Sequence, residues 1–280
     1  MDSRWVFGID HKLNQKRPAF DERSQKTNYL VSQKPTFNNL ILGSSRASYL
    51  PTKTLKGKWF NYAVSGMYPD EYLGYAKIAQ DYSENHRLDT IIIGLDFWAT
   101  CQCAIVSYKS PNKVLDDSKS WLNQITNLLS KDALHESLRT FHLNKGSFEY
   151  EAFYKLPYLE KNRTQGSDSL KTIKIKEQLW YYQKDVFGDE YNFNPDYLVP
   201  LEELISSFPN THFIIFTSPV SPKLSTLQNM LGRQADRQNW HHQIKKLNAE
   251  LIIIEKDKFN NSMFFDAHHL RPEFFKLIFE

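Results

Sequence analysis

The segment Asn39-Leu40-Ile41-Leu42-Gly43-Ser44-Ser45-Arg46 constrains this chain more than any other. An apolar run of strand length stops abruptly at Gly-Ser-Ser. Leu40, Ile41 and Leu42 suit a strand covered on both faces, as in a parallel sheet. Gly43 permits a sharp turn where the strand ends. Two hydroxyls then lie at the carboxyl end of that strand, where open α/β sheets gather their ligands. Serine at such a point is ordinary turn and helix-cap chemistry. It is also where a serine nucleophile belongs, provided a base can reach it.

The far end of the chain offers that base. Phe265-Asp266-Ala267-His268-His269-Leu270 carries an aspartate and a histidine three residues apart. With Ser45 they make a possible Ser-His-Asp set.

The strands between are read from their apolar runs. Trp59–Val64 is a second strand, closed by Ser65-Gly66, and Pro69 opens a helix continued by Tyr72, Tyr75, Ala76 and Ile78. Thr90–Leu95 is a third strand, ending at Asp96-Phe97-Trp98. Residues 118–130 read as a helix, Leu201–Phe208 as a short one, and 222–246 as a long polar one. His212–Thr217 and Leu251–Ile254 are the fourth and fifth strands, and Pro272 starts a final helix through Ile278. Strands alternating with helices predict a three-layer α/β/α fold around a central, mostly parallel five-stranded sheet. Residues 1–36 read as a polar N-terminal extension in which Asp21–Lys26 is a solvated surface turn or short helix, and 37–280 as the α/β domain. Residues 131–200 lack clear periodicity beyond short helical pieces, so the region at about 100–200 is an insertion or lid, or equally a few helices without clear bounds.

Composition excludes more than it selects. The 280 residues and 41% hydrophobic content allow a full core. Net charge is +3 and no Lys/Arg run is dense, so nucleic acid is not an expected partner. No apolar run is long enough to span a membrane and no signal peptide begins the chain, which read from Met1 implies a cytoplasmic protein. Cys101 and Cys103, two residues apart, are expected to be free thiols, because so small a ring strains a disulfide. Neither they nor the pairs His241-His242 and His268-His269 have metal-ligand spacing, so no metal or other cofactor is expected.

Four blocks at strand ends resemble the SGNH/GDSL hydrolase superfamily, in its bacterial branch reading Gly-Ser-Ser-Arg: Gly43–Arg46, Asn61–Gly66, Gly94–Phe97 and Asp266–His269. The resemblance spans the five strands and their loops but not residues 100–200. It implies an SGNH-hydrolase, flavodoxin-like fold. It implies Ser45 as nucleophile, His269 as base and Asp266 as its orienting carboxylate. The backbone N–H groups of Ser45 and Gly66 would form the oxyanion hole, which needs backbone approach free of a side chain. Ser44, Arg46 and Phe97 would contact substrate. His268 is expected to face solvent or cap a backbone group.

The third block departs from the pattern. Asp96 stands where the family has an oxyanion-donating asparagine, and an ionised carboxylate cannot donate. Either Asp96 is protonated and completes the oxyanion hole, or it turns away to orient Arg46, or the site is weak. The resemblance further implies an esterase or O-acyltransferase acting on an acylated small molecule or a glycan, through an acyl-Ser45 intermediate. Members such as alginate O-acetyltransferases and the D-alanine transfer protein of teichoic acid work on envelope polymers. Trp5–Asn14 and Glu22–Lys26 are similar to the segment that follows a membrane anchor in this branch, which implies an extracytoplasmic location. The competing expectation is a non-catalytic glycan-binding or assembly protein, with Tyr154, Tyr158, Trp180, Tyr181 and Tyr182 stacking on sugar rings.

Overall fold

The computed structural model describes residues 4–6, 15–104, 108–155, 159–254 and 258–279. Its framework is β1 (Lys16–Pro18), α1 (Glu22–Gln33), β2 (Asn39–Gly43), α2 (Ser45–Ser48), β3 (Trp59–Asn61), α3 (Pro69–Tyr82) and β4 (Thr90–Leu95). There follow α4 (Pro111–Lys119), α5 (Trp121–Leu128), α6 (Lys131–Asn144), β5 (Ala152–Lys155), β6 (Glu160–Arg163) and α7 (Asp168–Tyr181). The chain closes with α8 (Val199–Ser207), β7 (His212–Thr217), α9 (Pro222–Met230), α10 (Gln234–Ile244), β8 (Glu250–Ile252) and α11 (Lys276–Phe279).

Five strands form one parallel sheet in the order β3-β2-β4-β7-β8, as the apolar runs predict. Alternation of side chains divides each strand between two cores. Leu40, Leu42, Ile91, Ile93 and Ile215 face the side covered by α3, α8 and α10. Ile41, Ile92 and Phe216 face the other side, covered by α2 and the C-terminal segment around Phe264 and Phe275. Helices on both faces make the fold three-layered α/β/α.

Three predicted helices end differently. The span 118–130 divides into α4 and α5 at Ser120, whose backbone is extended. The span 222–246 breaks into α9 and α10 at Gly232, whose φ of +75° ends a helix without strain on a β-carbon. After Pro272 comes a single tight turn before α11.

The larger correction concerns the N-terminal residues. Asp21–Lys26 caps and starts a helix, but that helix is not solvated: α1 buries Glu22, Arg23, Gln25 and Lys26 against the parallel sheet and the loops that follow it. Each charge is answered. Arg23 clasps Glu71 through two hydrogen bonds of 2.7 Å, and Glu22 pairs with Lys161 of β6. Lys26 Nζ donates to the carbonyls of Asn61 (2.7 Å) and Ala63 (2.6 Å). A hexapeptide reads as surface from its charge alone, whereas buried charges persist only when paired or hydrogen-bonded, and the partners lie far along the chain. Trp5 is buried beside Arg17, Tyr29 and Tyr154. Phe7–Asn14, part of the segment compared with an anchor-proximal one, lie outside the described residues.

The region 108–198 is built rather than irregular. Helices α4 to α7 accompany a second, antiparallel sheet in the order β1-β5-β6, so β1 from the N-terminal residues is one of its strands. Cys101 and Cys103 are disulfide-bonded, not free thiols. Their Cα atoms are 5.1 Å apart, within the span a disulfide bridges. The extended backbone at Cys101, followed at once by a tight turn, brings the two sulfurs together despite the short spacing.

Candidate active site

Strand β2 delivers Ser45 through a turn that only glycine can make. Gly43 has φ +136°, and a β-carbon there would lie 2.7 Å from the Gly94 carbonyl oxygen. Opposite it in β4, a β-carbon on Gly94 would lie 2.8 Å from Ala47 Cβ and 2.8 Å from Phe216 Cζ. The two glycines therefore let the short helix α2 rest directly on the sheet. Ser44 caps that helix, its Oγ accepting from Arg46 N–H at 3.2 Å. As the first helical residue, Ser45 has a backbone N–H with no intrahelical acceptor. Asn61 anchors the other end: its Nδ2 donates to the carbonyls of Ala47 and Leu50, both at 3.1 Å.

The C-terminal block folds around one carboxylate. Asp266 Oδ1 accepts from the backbone N–H groups of His268 (3.0 Å) and His269 (2.9 Å). This turn returns the His269 ring to the same side chain, and Asp266 Oδ2 lies 2.7 Å from His269 Nδ1. The spacing Asp-x-x-His thus builds its own geometry. An ionised carboxylate only accepts, so Nδ1 carries the hydrogen and Nε2 is the acceptor. His269 Nε2 lies 2.9 Å from Ser45 Oγ, across 224 positions of sequence. Ser45, His269 and Asp266 therefore form one hydrogen-bonded line over the carboxyl end of β2.

The surroundings set the charge of that line. Burial alone would raise Asp266, but His269, His268 and Arg163 outweigh it and hold the carboxyl well below the usual range. For His269, burial is the largest influence and lowers the pKa; Asp266 opposes it, and Arg163 and Lys161 lower it further. The imidazole is therefore neutral at neutral pH, as a proton acceptor must be.

The other predicted residues fare unequally. Val64 N–H donates to Gly43 O at 3.1 Å, which extends the β3 pairing and sets the Ser65-Gly66 loop beside the Gly43–Ser45 turn. Gly66 has φ +63°, and a β-carbon would meet the Tyr108 hydroxyl at 2.7 Å. Asp96 is not free to donate. Its Oδ1 receives Arg46 Nη1 at 3.4 Å and its Oδ2 receives Trp98 Nε1 at 2.9 Å. Of the three readings, this is the one in which Asp96 orients Arg46. Arg46 is buried and also donates to the Tyr182 hydroxyl at 2.9 Å. Phe97 is buried in the core, stacked on Phe187. His268 is half-buried and lines the cavity at Ser45 rather than capping a backbone group. Its ring lies against Tyr182 and His269, and its Nδ1 is buried without a hydrogen-bond partner among the described residues.

A small cavity of about 150 Å³ opens on Ser45, lined also by Arg46, Trp98, Tyr181, Tyr182 and His268. Trp180 and Tyr181 remain exposed at 60% and 48%, whereas Tyr154 is wholly buried in the core and unavailable for stacking. Tyr158 lies outside the described residues. Ligand atoms of Asp266, His268 and His269 all fall within 4.8 Å of one another. A cation there would have to displace the Asp266–His269 or His269–Ser45 hydrogen bond.

Two contributors carry no sequence signal. Arg163 of β6 sets Nη2 3.5 Å from Asp266 Oδ2 and 3.3 Å from the Tyr49 hydroxyl. Tyr49 places its ring 5.2 Å from that of His269. Arg163 comes from the region the resemblance does not cover, and nothing local in its sequence ties it to Asp266.

No protein-family model matches the chain, and no curated protein is detectably similar to it. Among solved structures, one from Streptococcus pneumonia, described as "a putative platelet activating factor", aligns over 92% of this chain and 88% of its own. Identity is 13% and the TM-score 0.42.

Proposed function

We propose that this protein is a serine hydrolase or acyltransferase that cleaves an O-acyl ester through an acyl-Ser45 intermediate. The observation that carries the reading is the unbroken line Ser45 Oγ–His269 Nε2–His269 Nδ1–Asp266 Oδ2, at 2.9 and 2.7 Å. In this reading His269 takes the Ser45 proton as Oγ attacks the ester carbonyl, and the carbonyl π electrons move to oxygen. Asp266 holds the imidazole tautomer and stabilises the imidazolium. The backbone N–H groups of Ser45 and Gly66 receive the oxyanion. Asp96 supplies no hydrogen bond to it, so the hole has one donor fewer than the family pattern implies. As the tetrahedral intermediate collapses, the imidazolium returns its proton to the leaving alcohol. Water or a second hydroxyl then attacks the acyl-serine by the same route in reverse.

The half-exposed ring of Tyr181, which lines the Ser45 cavity, supports a glycan as the ester's carrier, since aromatic faces stack on sugar rings. Envelope or extracellular polymers are the substrate class that follows, and an extracytoplasmic location goes with them. The same ring would serve a glycan-binding protein without turnover.

The test is the intact mass of the protein after exposure to a serine-directed fluorophosphonate and to activated acyl esters. One adduct on the parent, none on Ser45→Ala, is the expected result. A parent that takes no label from any probe, yet binds acetylated oligosaccharides as tightly as Ser45→Ala does, overturns the enzyme reading in favour of the binding one.

A further inference from the structure

A second and larger cavity lies outside the carboxyl ends of β4, β7 and β8, with a volume of about 460 Å³. Arg46 is its only lining residue shared with the Ser45 cavity, so that buried side chain divides the two spaces. Its walls include Phe97, Ser218, Arg237, Trp240 and His241. Open α/β sheets take ligands at this edge.

Three buried polar atoms on these walls have no hydrogen-bond partner among the described residues: Arg46 Nε, Trp240 Nε1 and Ser218 Oγ. Arg46 is 3% exposed and Trp240 2%. Buried donors are ordinarily satisfied, and each one left over carries a desolvation cost. All three can donate, and two of them can do nothing else. What would satisfy them together is a group rich in acceptor oxygens.

The charge balance points the same way. No lining residue among those described is acidic. The carboxylate of Asp96 meets Arg46 from the side of Trp98. Among the described residues, Arg237 donates to neutral amide oxygens, those of Gln228 and Asn229, both at 3.4 Å. Burial lowers its pKa. His241 is pushed down to about 4 by burial, Arg237 and Lys245. Arg237 is half-buried, and an anionic ligand would offset the cost of its partial desolvation.

We infer that this cavity is a binding site for an oxyanion, a carboxylate or phosphate, carried on a ring-sized polar body. Arg237 and Arg46 take the charge and Trp240 Nε1 and Ser218 Oγ take further oxygens. The amides of Gln228, Gln234 and Gln238 meet the hydroxyls of the body. The site stands whether or not Ser45 is a nucleophile.

Calorimetric titration of the full chain with glucose 1-phosphate, glucuronate and neutral glucose tests it. Saturable binding of at least one acidic probe is expected, and none of glucose. Which probe binds tells phosphate from carboxylate. Arg237→Gln should weaken binding at least tenfold, Arg237→Lys less, and Ser45→Ala not at all. On the parent protein, the NMR titration of the His241 ring should move upward with the acidic probe bound, which needs no variant to fold. No binding by either acid, glucose bound as well as the acids, or a His241 titration that does not move on binding overturns the inference.

Discussion

Gly94→Ala separates the position of Ser45 from the presence of its chemistry. The new β-carbon would lie 2.8 Å from Ala47 Cβ and from Phe216 Cζ. Carbon atoms without a bond prefer about 3.5–4.0 Å. The deficit is therefore about 0.7–1.2 Å, and it falls on two fully buried neighbours. Phe216 belongs to β7 in the middle of the sheet, so α2 is the part able to yield. Lifting α2 by even half that deficit takes Ser45 Oγ from 2.9 Å to about 3.3 Å or more from His269 Nε2, beyond a good O–H···N bond. Overpacking of this kind costs about 1–3 kcal/mol of stability, while an ångström of misplacement in a reacting group costs on the order of 100-fold in rate. The assay pairs urea unfolding with the second-order rate of fluorophosphonate labelling at Ser45. Labelling should fall far more steeply than stability implies. Ala47→Gly, placed on the Gly94→Ala background, should restore part of the labelling, because it removes one of the two colliding carbons. The reasoning fails if Gly94→Ala loses 1–3 kcal/mol but labels at the parental rate, or if Ala47→Gly gives no recovery.

The other predictions concern the hydrogen-bonded line and its supports. Asp266→Asn keeps the shape but offers Nδ2–H where an acceptor is needed, so the wrong tautomer of His269 prevails; labelling and ester turnover should fall by on the order of 10⁴. Because the pKa of His269 is lowered, its base form persists as pH falls below about 6.5, so the acid limb of kcat/KM should lie below that value. Arg163 contributes to that lowering, so Arg163→Gln should move the limb upward, losing relatively more activity at pH 6 than at pH 8; a limb that stays put in a pH–rate profile refutes the role given to Arg163. Asn61→Ala leaves the buried carbonyls of Ala47 and Leu50 without their shared donor and should cost about 1–3 kcal/mol in urea unfolding, with the labelling rate falling as well.

The parallel sheet was legible because buried strands write themselves as apolar runs. Thr90–Leu95 and His212–Thr217 are read at their observed bounds, and the ends of β2 and β8 move by only a few residues. The glycine turns were legible too, since a strand that ends in glycine announces a backbone with special needs. What the apolar pattern cannot show is where a helix stops when the stop is a local φ value, as at Gly232, or a serine with extended backbone, as at Ser120. Nor does spacing alone report the bond between Cys101 and Cys103, because that depends on how the backbone turns between them.

Side-chain partnership across long sequence separations is the harder limit, and α1 shows why. Its mean hydropathy is that of an exposed helix, yet it is buried, because Glu22, Arg23 and Lys26 find Lys161, Glu71 and two carbonyls of the β3 edge. Lys161 and Arg163 lie two residues apart on β6 and point the same way, as alternate residues of a strand must. One closes the charge of Glu22 beneath the Ser65 loop, and the other faces Asp266. The same short strand thus ties the N-terminal helix to the C-terminal carboxylate. Both links are ionic, between residues more than 100 positions apart, and no periodicity in a single chain encodes them. A reading from strand ends alone finds Ser45, Asp266 and His269, because those depend on local turns. It misses the arginine that helps set their charge, because that depends on a sheet assembled from both sides of the fold.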